Sequence, residues 1–378
     1  MQESPIPFHK PYITGKELAY INQAIAHGKL SGDGPFTKSC QTWLEKSTQQ
    51  SKALLTHSCT AALEMAVLLL NIQPGDEIIL PSFTFVSTPN AFVLRGGIPV
   101  FVDIREDTLN LDETLIEDAI TPRTKVIVPV HYAGVSCEMD TIMSVARAHG
   151  LKVIEDAAQG VMATYKGKPL GSLGDFGAYS FHETKNIISG EGGALLVNNP
   201  DFTLRANVLR EKGTDRSRLF RGETDKYTWE DIGSSYLPGE LIAAFLLAQL
   251  EEAQEITRQR RLVWERYHAL FESLDSKGIL RRPIIPKDCN HNAHIYYVLL
   301  PTKEHQEKVL NAFKENNISS AFHYVPLHSS PAGQHYGRAH GSLAMTDYQS
   351  SRLVRLPLWI GLTEQQQQQI VDIVSKEI

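Results

Sequence analysis

Short apolar segments alternate with helical segments over the first half of the chain, and this alternation restricts the fold more than any other feature. The segments predicted as strands are 53–56, 77–80, 100–103, 125–130 and 152–155, and those predicted as helices are 60–70, 87–94 and 141–149. Strands that alternate with helices build βαβ units, in which parallel strands form a sheet covered on both faces. We therefore predict an α/β fold around a mostly parallel sheet.

The pattern changes after residue 174. Two more strands, a helix and an irregular charged stretch are predicted, in chain order, at 176–181, 194–197, 201–212 and 213–231. Residues 239–270 are rich in strong helix formers and predict one or two long helices. A small α/β unit follows, with strands at 296–300 and 319–324 around a helix at 304–316. A chain of 378 residues can form two domains, which we place at 1–255 and 256–378.

Composition excludes several classes of function. The net charge is −6, so no basic field favours nucleic acid or an acidic membrane surface. The fully apolar stretch at residues 66–70 is far too short to span a bilayer, and the polar, proline-containing residues 1–12 are unlike a signal peptide. The four cysteines are scattered without metal-ligand spacing. We expect a cytoplasmic protein that binds neither nucleic acid nor membrane and has no metal site.

Two segments that follow predicted strands have features of a ligand site. Ser58 and Thr60 lie where a strand passes into a helix, so a hydroxyl can cap the helix beside backbone amides that bind an anion such as phosphate. The alternative is an ordinary capped turn. Phe85 follows the next strand, where an aromatic ring can stack on a flat ligand, although packing in the core is the usual fate of such a residue.

A carboxylate and a lysine follow two later strands. Asp156 comes directly after an apolar strand, whereas its neighbour Glu155 is expected to be a solvated loop carboxylate. Lys185 lies in the loop after strand 176–181, beside a glycine-rich turn at 189–193. A lysine amine forms an imine with an aldehyde cofactor, and an aspartate can hold a pyridine nitrogen protonated. The pair therefore predicts pyridoxal phosphate as the cofactor.

The order of these residues is more specific than any one of them. A phosphate turn, an aromatic ring, an acid and a lysine all follow strand ends that share one edge of a parallel sheet. Gln159 is placed to donate a hydrogen bond to the phenolate oxygen of such a cofactor. A zinc helix of the His-Glu-x-x-His type is excluded at 182–186, because the fifth residue is Asn186.

These segments resemble the DegT/DnrJ/EryC1/StrS family of sugar aminotransferases over nearly the whole chain. The most specific matches are Glu-Asp-Ala-Ala-Gln at 155–159 and the segment at 180–193, which contains Ser-Phe-His, Lys-Asn and Gly-Glu-Gly-Gly. The resemblance implies a fold type I aminotransferase that depends on pyridoxal phosphate, with pyridoxamine phosphate as its second form. It implies a large domain with a mixed, mostly parallel seven-stranded sheet and a small C-terminal α/β domain.

The family also implies roles for individual residues. Lys185 would form the internal aldimine, Asp156 would contact the pyridine nitrogen, and Gln159 would lie near the ring oxygen. Phe85 would stack on the ring. The phosphate would be held by Ser58, Cys59 and Ser180.

The segment 231–236 matches a part of the family that a neighbouring subunit lends to the phosphate site. The resemblance therefore implies a homodimer with shared active sites, in which Ser235 contacts the cofactor and Tyr236 the substrate. Many members carry Asn and Arg at the positions of Ser235 and Leu237, so this chain departs from the family there.

That departure, together with the segments 181–186, 225–229 and 322–328, is similar to one subgroup of the family. The similarity implies transfer of an amino group from L-glutamate to C4 of dTDP-4-keto-6-deoxy-D-glucose, giving dTDP-4-amino-4,6-dideoxy-D-galactose of the type used for enterobacterial common antigen. Candidate contacts to the sugar or its diphosphate are His323, Tyr324, His328, Arg216, Arg218 and Arg221. A structural role is the alternative for each of them.

Three other functions stay open. The enzyme could act on a different nucleotide-linked keto-sugar or give the 4-aminoglucose epimer. A dehydratase of the same family would carry histidine in place of the lysine, and Lys185 is present. A protein that only binds the cofactor or a nucleotide sugar would not need the lysine, the acid and the glycine turn together.

Overall fold

The computed structural model describes residues 5–49, 52–216, 219, 222 and 225–378. The strands are β1 Lys52–Thr56, β2 Glu77–Pro81, β3 Ile98–Val102, β4 Thr124–Ile127, β5 Lys152–Asp156, β6 Thr164–Tyr165, β7 Lys168–Pro169, β8 Phe176–Ser180, β9 Gly193–Val197, β10 Cys289–Asn290, β11 Tyr296–Leu299, β12 Arg338–Ala339 and β13 Leu353–Leu356. The helices among these residues are α1 Glu17–Ala26, α2 Pro35–Thr48, α3 Cys59–Leu69, α4 Ser87–Val93, α5 Ile116–Ala119, α6 Met139–His149, α7 Thr203–Arg210, α8 Glu240–Glu251, α9 Ala253–Leu270, α10 Glu272–Ser276, α11 Lys303–Glu315, α12 Pro331–Tyr336, α13 Ala344–Ser350 and α14 Glu364–Glu377.

A large sheet forms the centre of the first two thirds of the chain, with strand order β1-β9-β8-β5-β4-β2-β3-β12. Strands β2, β3, β4, β5 and β8 run parallel, and β9 runs antiparallel to both β1 and β8. Every residue of β2, β8 and β9 is buried, as expected for strands covered on both faces. The predicted α/β fold and mostly parallel sheet are confirmed.

The sheet has eight strands where seven were expected. The additional strand is β12, a two-residue segment from the C-terminal part that pairs in parallel with β3. Its Arg338 guanidinium lies 2.9 Å from the buried carboxylate of Glu77 at the start of β2, and Arg123 binds the same carboxylate at 2.6 Å. An ion pair between distant segments holds this short strand, and no local pattern in 338–339 predicts it.

The C-terminal part contains a second core, formed by α9, α11 and α14 packed with β11 and β13. Strand β13 pairs antiparallel with β11, with Tyr296 opposite Leu356. The predicted strand at 319–324 is wrong: of its residues, Ala321 alone forms a bridge, to Arg355. The strand that pairs with β11 comes later in the chain, at β13.

The N-terminal segment crosses to this second core. Ile6 is buried there, and its backbone exchanges hydrogen bonds of 3.0 and 2.9 Å with Asn317 and Ser319. The indole of Trp359 also donates to the carbonyl of Pro7 at 3.0 Å. The domain boundary after residue 255 stays a prediction. Among the described residues, no helix has the length and apolar character needed to cross a bilayer.

Candidate active site

A cavity of about 360 Å³ opens where strands β2, β5 and β8 end, beside the second core. The predicted residues that line it are Ser58, Cys59, Phe85, Asp156, Gln159, Ser180, Lys185, His323 and Tyr324. They come from five separate segments of the chain, at 58–59, 85, 156–159, 180–185 and 323–324. The carboxyl edge of the parallel sheet thus brings together most of the site that the sequence predicts.

The start of helix α3 forms an anion-binding end of the cavity. Ser58 caps the helix, since its hydroxyl accepts a 3.1 Å hydrogen bond from the amide of Ala61. A helix leaves its first amides without partners inside the helix, so these groups and the helix dipole attract an anion. A Cβ on Gly193 would lie 2.4 Å from the carbonyl carbon of Ser58 and 2.5 Å from the amide of Cys59. Glycine at 193 therefore lets β9 pass directly behind this turn.

Asp156 stands at the end of β5 and is 6% exposed. Thr88 donates a 2.7 Å hydrogen bond to Oδ2, and the amide of Ala158 donates one of 3.2 Å to Oδ1. The hydroxyls of Thr84 and Thr88 lie 3.0 Å apart, so Thr84 donates to Thr88 when Thr88 donates to the carboxylate. Within the described chain this carboxylate has no ion-pair partner, which leaves it able to pair with a ligand cation.

The expectation that Glu155 is a solvated loop carboxylate is wrong. It is fully buried, and its two oxygens accept hydrogen bonds of 2.6–2.8 Å from the amides of Gly171, Leu173 and Gly174. His131 lies 2.9 Å from the same carboxylate. Successive side chains of a strand point to opposite faces of the sheet. Glu155 therefore points into the loop at 171–174 on one face, whereas Asp156 points towards the cavity.

Gln159 is held on both sides of its amide. Its oxygen accepts a 2.7 Å hydrogen bond from the amide of Ala133, and its nitrogen donates to the hydroxyl of Tyr324 at 3.3 Å. These contacts fix the side chain at the cavity wall, three residues after Asp156.

Lys185 lies in a closed loop between β8 and β9. Backbone hydrogen bonds of 2.9 Å from Phe181 to Gly192 and 2.8 Å from Glu183 to Gly190 close the loop, and Gly190 has φ +81°. Burial lowers the pKa of the Lys185 ammonium from its ordinary 10.5, and the charges of Cys59 and Asp156 partly oppose this shift. A lowered pKa increases the fraction of neutral amine, which is the nucleophilic form.

Phe85 keeps its ring outside the core. The side chain is 59% exposed at the cavity wall, so the alternative that it packs inward is wrong. An exposed ring at this edge offers a flat surface for stacking.

The wall also contains residues that were not predicted from the sequence, among them Phe8, His9, Arg260, His294 and Arg355. Arg355 donates to Nε2 of His323 at 2.5 Å and lies over the ring of Phe8 at 4.7 Å. Arg260 donates to the backbone carbonyls of Ala293 and His294 at 3.2 and 2.9 Å. Of these five residues, Arg355 alone could have been found from the sequence, because an arginine interrupts the apolar segment 353–358.

Other predicted contacts lie elsewhere. His328 binds Ser82 at 2.8 Å outside the cavity, because the 3₁₀ turn Leu327–Ser329 directs it to the end of β2. Tyr236 is buried in the main core with its ring stacked on His57, so its own chain does not present it to the cavity.

Two further predicted contacts are also absent from the cavity wall. Ser235 is exposed, and neither Ser235 nor Arg216 lines the cavity. Arg218 and Arg221 lie outside the described residues.

The residues at the cavity fit pyridoxal phosphate. The amides at the start of α3, with Ser58 and Ser180, suit its phosphate, and the unpaired carboxylate of Asp156 suits its ring nitrogen. The amine of Lys185 suits its aldehyde, and the ring of Phe85 suits its aromatic face.

Comparison with known proteins agrees with this chemistry. The profile of the DegT/DnrJ/EryC1/StrS aminotransferase family matches residues 11–375. The chain is 34% identical to the spore coat polysaccharide biosynthesis protein SpsC of Bacillus subtilis, over 98% of this chain and 96% of that protein. It is 34% identical to the GDP-perosamine synthase of Caulobacter vibrioides, over 94% and 93%. The structure of S. venezuelae DesV in complex with a ketimine intermediate superposes with a TM-score of 0.88 at 28% identity, covering 98% of both chains.

Proposed function

Because the chain belongs to the DegT/DnrJ/EryC1/StrS aminotransferase family, we propose that it transfers an amino group from L-glutamate to C4 of dTDP-4-keto-6-deoxy-D-glucose. The products are dTDP-4-amino-4,6-dideoxy-D-galactose and 2-oxoglutarate, and the amino sugar serves synthesis of a cell-surface glycan. Family membership makes the chain a sugar transaminase that depends on pyridoxal phosphate. The observation that carries the proposal is the single cavity that holds Lys185, Asp156 and Ser58 together.

Three further observations support the choice of substrates. Among the family, the segments 181–186, 225–229 and 322–328 resemble the subgroup that makes the 4-amino-4,6-dideoxygalactose nucleotide. The named relatives are a polysaccharide biosynthesis protein and a synthase of a GDP-linked sugar, which favours a nucleotide sugar as acceptor. Of the predicted sugar contacts, His323 and Tyr324 line the cavity, with their rings stacked 3.8 Å apart.

The cofactor supplies electron withdrawal, and the side chains of the protein supply proton transfer and orientation. When bound, pyridoxal phosphate supplies an electron-withdrawing ring that takes up the electrons of a broken Cα–H bond. Asp156 would hold a proton on the ring nitrogen, because its carboxylate, oriented by Thr88, would pair with the positive charge there. Lys185 Nζ takes the proton from Cα of the amino donor, and in the second half of the cycle it delivers a proton to C4 of the sugar.

Several groups prepare this proton transfer. The amides at the start of α3 would hold the cofactor phosphate and thereby position the substrate carbon near Lys185. Gln159 would donate to the ring oxygen of the bound cofactor, and its side chain is held in place by Ala133 and Tyr324. His294, which is 7% exposed, closes another part of the wall, and burial lowers its pKa well below 6.5, so its ring adds no charge beside Lys185.

We propose a homodimer in which each subunit completes the other's site. Ser235 is exposed and does not line its own cavity, as expected for a residue that serves a partner, and its backbone is anchored by a bridge to Glu211. Tyr236, stacked on His57, fixes the base of the same loop rather than reaching the substrate through its own chain. Light scattering of the cofactor-bound protein is expected to give a dimer, and a fully active monomer would contradict this arrangement.

The test of function is the visible spectrum of the purified protein before and after L-glutamate. A yellow band that is lost with glutamate establishes the cofactor and the donor. Restoration of the band by dTDP-4-keto-6-deoxy-D-glucose, but not by UDP- or GDP-linked keto-sugars, establishes the acceptor, and NMR of the product gives the configuration at C4. Restoration by another nucleotide sugar, or the glucose epimer, selects the alternative substrates. A protein that binds pyridoxal phosphate without responding to glutamate would be a non-catalytic binder.

A further inference from the structure

His294 is held in one orientation beside the loop of Lys185. It lies in the connector between β10 and β11, where the chain enters the second core. Its Nδ1 lies 2.9 Å from Oδ1 of Asn186, the residue that follows Lys185. Its own amide donates to Oδ1 of Asn292 at 3.1 Å. The buried ring is therefore tied directly to the loop that carries the reacting amine.

The partners of Asn186 decide which nitrogen of the His294 ring carries the proton. Nδ2 of Asn186 donates to the carbonyl of Asn292 at 2.8 Å, so its Oδ1 faces His294 and accepts from Nδ1. Asn292 is fixed in turn, because its Nδ2 donates to the carbonyls of Gln159 and Val161 at 2.8 and 2.7 Å. Nδ1 of His294 thus carries the proton, and Nε2 is left as an acceptor with a free lone pair.

The free side of the His294 ring faces the space around Lys185. Within the described chain, no residue donates a hydrogen bond to Nε2. The ring lines the main cavity and also a gap of about 10 Å³ that Lys185, Gln159 and Ser180 share. A gap of this size holds one water at most. The amine of Lys185, on its flexible four-carbon chain, can therefore meet Nε2 directly or through a single water.

The imidazole of His294 is neutral in this position. Burial lowers its pKa well below 6.5, and the positive charges of Lys185 and Arg260 act in the same direction. Arg355 and His323, which face it from the rest of the wall, add to the same shift. A protonated ring would repel the ammonium of Lys185, whereas the lone pair of a neutral ring attracts it.

Neither group whose charge favours the ammonium of Lys185 is free to receive it. These groups are Cys59 and Asp156. Burial raises the pKa of the Cys59 thiol well above 9.0, so the thiol carries no charge. The carboxylate of Asp156 accepts from Thr88 and Ala158, and the proposed function assigns it to the ring nitrogen of the cofactor.

The geometry points to His294 as the acceptor that holds the amine of Lys185 whenever that amine is not bonded to the cofactor. A hydrogen bond from Nζ to the neutral Nε2 keeps the amine beside Ser180 and Gln159. It stabilises the ammonium without a fixed counter-charge, so Nζ can release the proton again to the substrate carbon. His294 is a positioning residue, since it acts through Lys185. The inference rests on the proposed function, because it concerns the lysine assigned there to proton transfer.

The first experiment measures how fast cyanate carbamylates Lys185 in the apoenzyme as a function of pH. Cyanate reacts with the neutral amine, so the midpoint of the rate profile reports the pKa of Lys185, and mass spectrometry of the peptide that contains Lys185 gives the rate. The variants are His294→Leu, which removes the acceptor, and His294→Gln, which keeps one donor and one acceptor. The control is His149→Gln, at the exposed end of α6 before β5.

His294→Leu is expected to move the midpoint about one pH unit lower, because the ammonium loses a hydrogen bond that favours it. His294→Gln and the control should stay near wild type. An unchanged or raised midpoint in His294→Leu overturns the inference, and so does an equal shift in His294→Gln, which would show that the ring serves packing alone.

Circular dichroism and the visible band after loading with pyridoxal phosphate show whether each variant is folded. If His294→Leu does not fold, Asn186→Ser decides the question. It releases the proton from Nδ1, so a fraction of the rings present an N–H to Lys185, and the midpoint should move lower by a smaller amount. An unchanged midpoint in that variant equally overturns the inference.

The second experiment follows the half-reaction of the loaded enzyme with L-glutamate. His294→Leu is expected to lower the maximal rate about tenfold and to change the glutamate concentration for half-maximal rate by less than about twofold, with most of the rate recovered in His294→Gln. A change in that concentration alone would make His294 a substrate contact and overturn the inference. A wild type that glutamate does not convert would refute the proposed donor, while the cyanate midpoints would still decide the role of His294.

Discussion

Thr88 donates a 2.7 Å hydrogen bond from Oγ1 to Oδ2 of Asp156, across 68 positions of sequence. Thr88 lies in the first turn of α4, after β2, whereas Asp156 ends β5, so the bond joins two βα units of the sheet. Both side chains are buried. Because Oδ1 accepts from the amide of Ala158, the carboxylate is held at both oxygens, and its orientation towards the cavity is set before any ligand binds.

The role of this hydrogen bond can be tested with Thr88→Val, which keeps the shape and removes the hydroxyl. We expect the affinity for pyridoxal phosphate and the rate of the glutamate half-reaction to fall about tenfold each, because Asp156 loses the bond that orients it. Thr88→Ser should restore most of both. Absorption titration and stopped-flow spectroscopy measure the two quantities, and a valine variant equal to wild type would show that Asp156 needs no such support.

Asp156→Asn should still bind the cofactor, since the phosphate end of the site is intact. The half-reaction with L-glutamate is expected to slow by at least about 100-fold, because a neutral amide does not hold the ring nitrogen protonated. Single-turnover absorption measures the rate, with Asp140→Asn, an exposed carboxylate of α6, as the control. Undiminished rates in Asp156→Asn would exclude this role.

Lys185→Ala is expected to lose the visible band of lysine-bound cofactor and nearly all turnover, because no other amine lines the cavity in the described chain. Mass spectrometry after borohydride reduction should find the cofactor on the wild-type peptide that contains Lys185 and not on the variant. Lys152→Ala, at the opposite end of β5, serves as the control. Cofactor still attached to Lys185→Ala at wild-type yield would refute the assignment.

The lowered pKa of Lys185 predicts a pH dependence of cofactor uptake. The neutral amine attacks the aldehyde, so the rate at which the apoenzyme gains the visible band should rise with pH and level off below 10.5, the ordinary lysine value. Free Nα-acetyl-lysine, measured in parallel, should keep gaining rate up to that value. Identical profiles for the enzyme and the free amine would show that burial does not lower the pKa.

Glu211 predicts a pH dependence of stability. Burial, together with the hydrogen bond and charge of Asp33, raises its pKa from 4.5 to about 7. The folded chain then holds a proton that the unfolded chain releases above pH 4.5, so this contribution to stability is complete below pH 4.5 and is lost as pH rises through about 7.

Glu211→Gln keeps a neutral side chain at every pH, so it should flatten this part of the profile by on the order of 1–3 kcal/mol. Denaturant unfolding at pH 5 and pH 8, at one protein concentration, measures the difference. Glu265→Gln, an exposed position on α9, is the control. An equal loss of stability between the two pH values in wild type and Glu211→Gln would contradict the raised pKa.

Local patterns in the sequence predicted the frame of the site. The apolar runs that became β2, β5 and β8 determine which residues stand at the carboxyl edge, so Asp156 and Lys185 could be placed there without coordinates. The cap at Ser58 is a contact between near neighbours, and it was predictable for the same reason.

Only the tertiary structure decided what surrounds that frame. Arg355, Phe8 and His323 meet because the N-terminal segment crosses to a core built from the last third of the chain, and Thr88 meets Asp156 because the strand order places β2 and β5 on either side of β4. Burial of Glu155 depends on a loop that folds back to it. Side-chain periodicity reports which face of a strand or helix is buried, whereas the partner across that face is set by topology and packing between residues far apart in sequence.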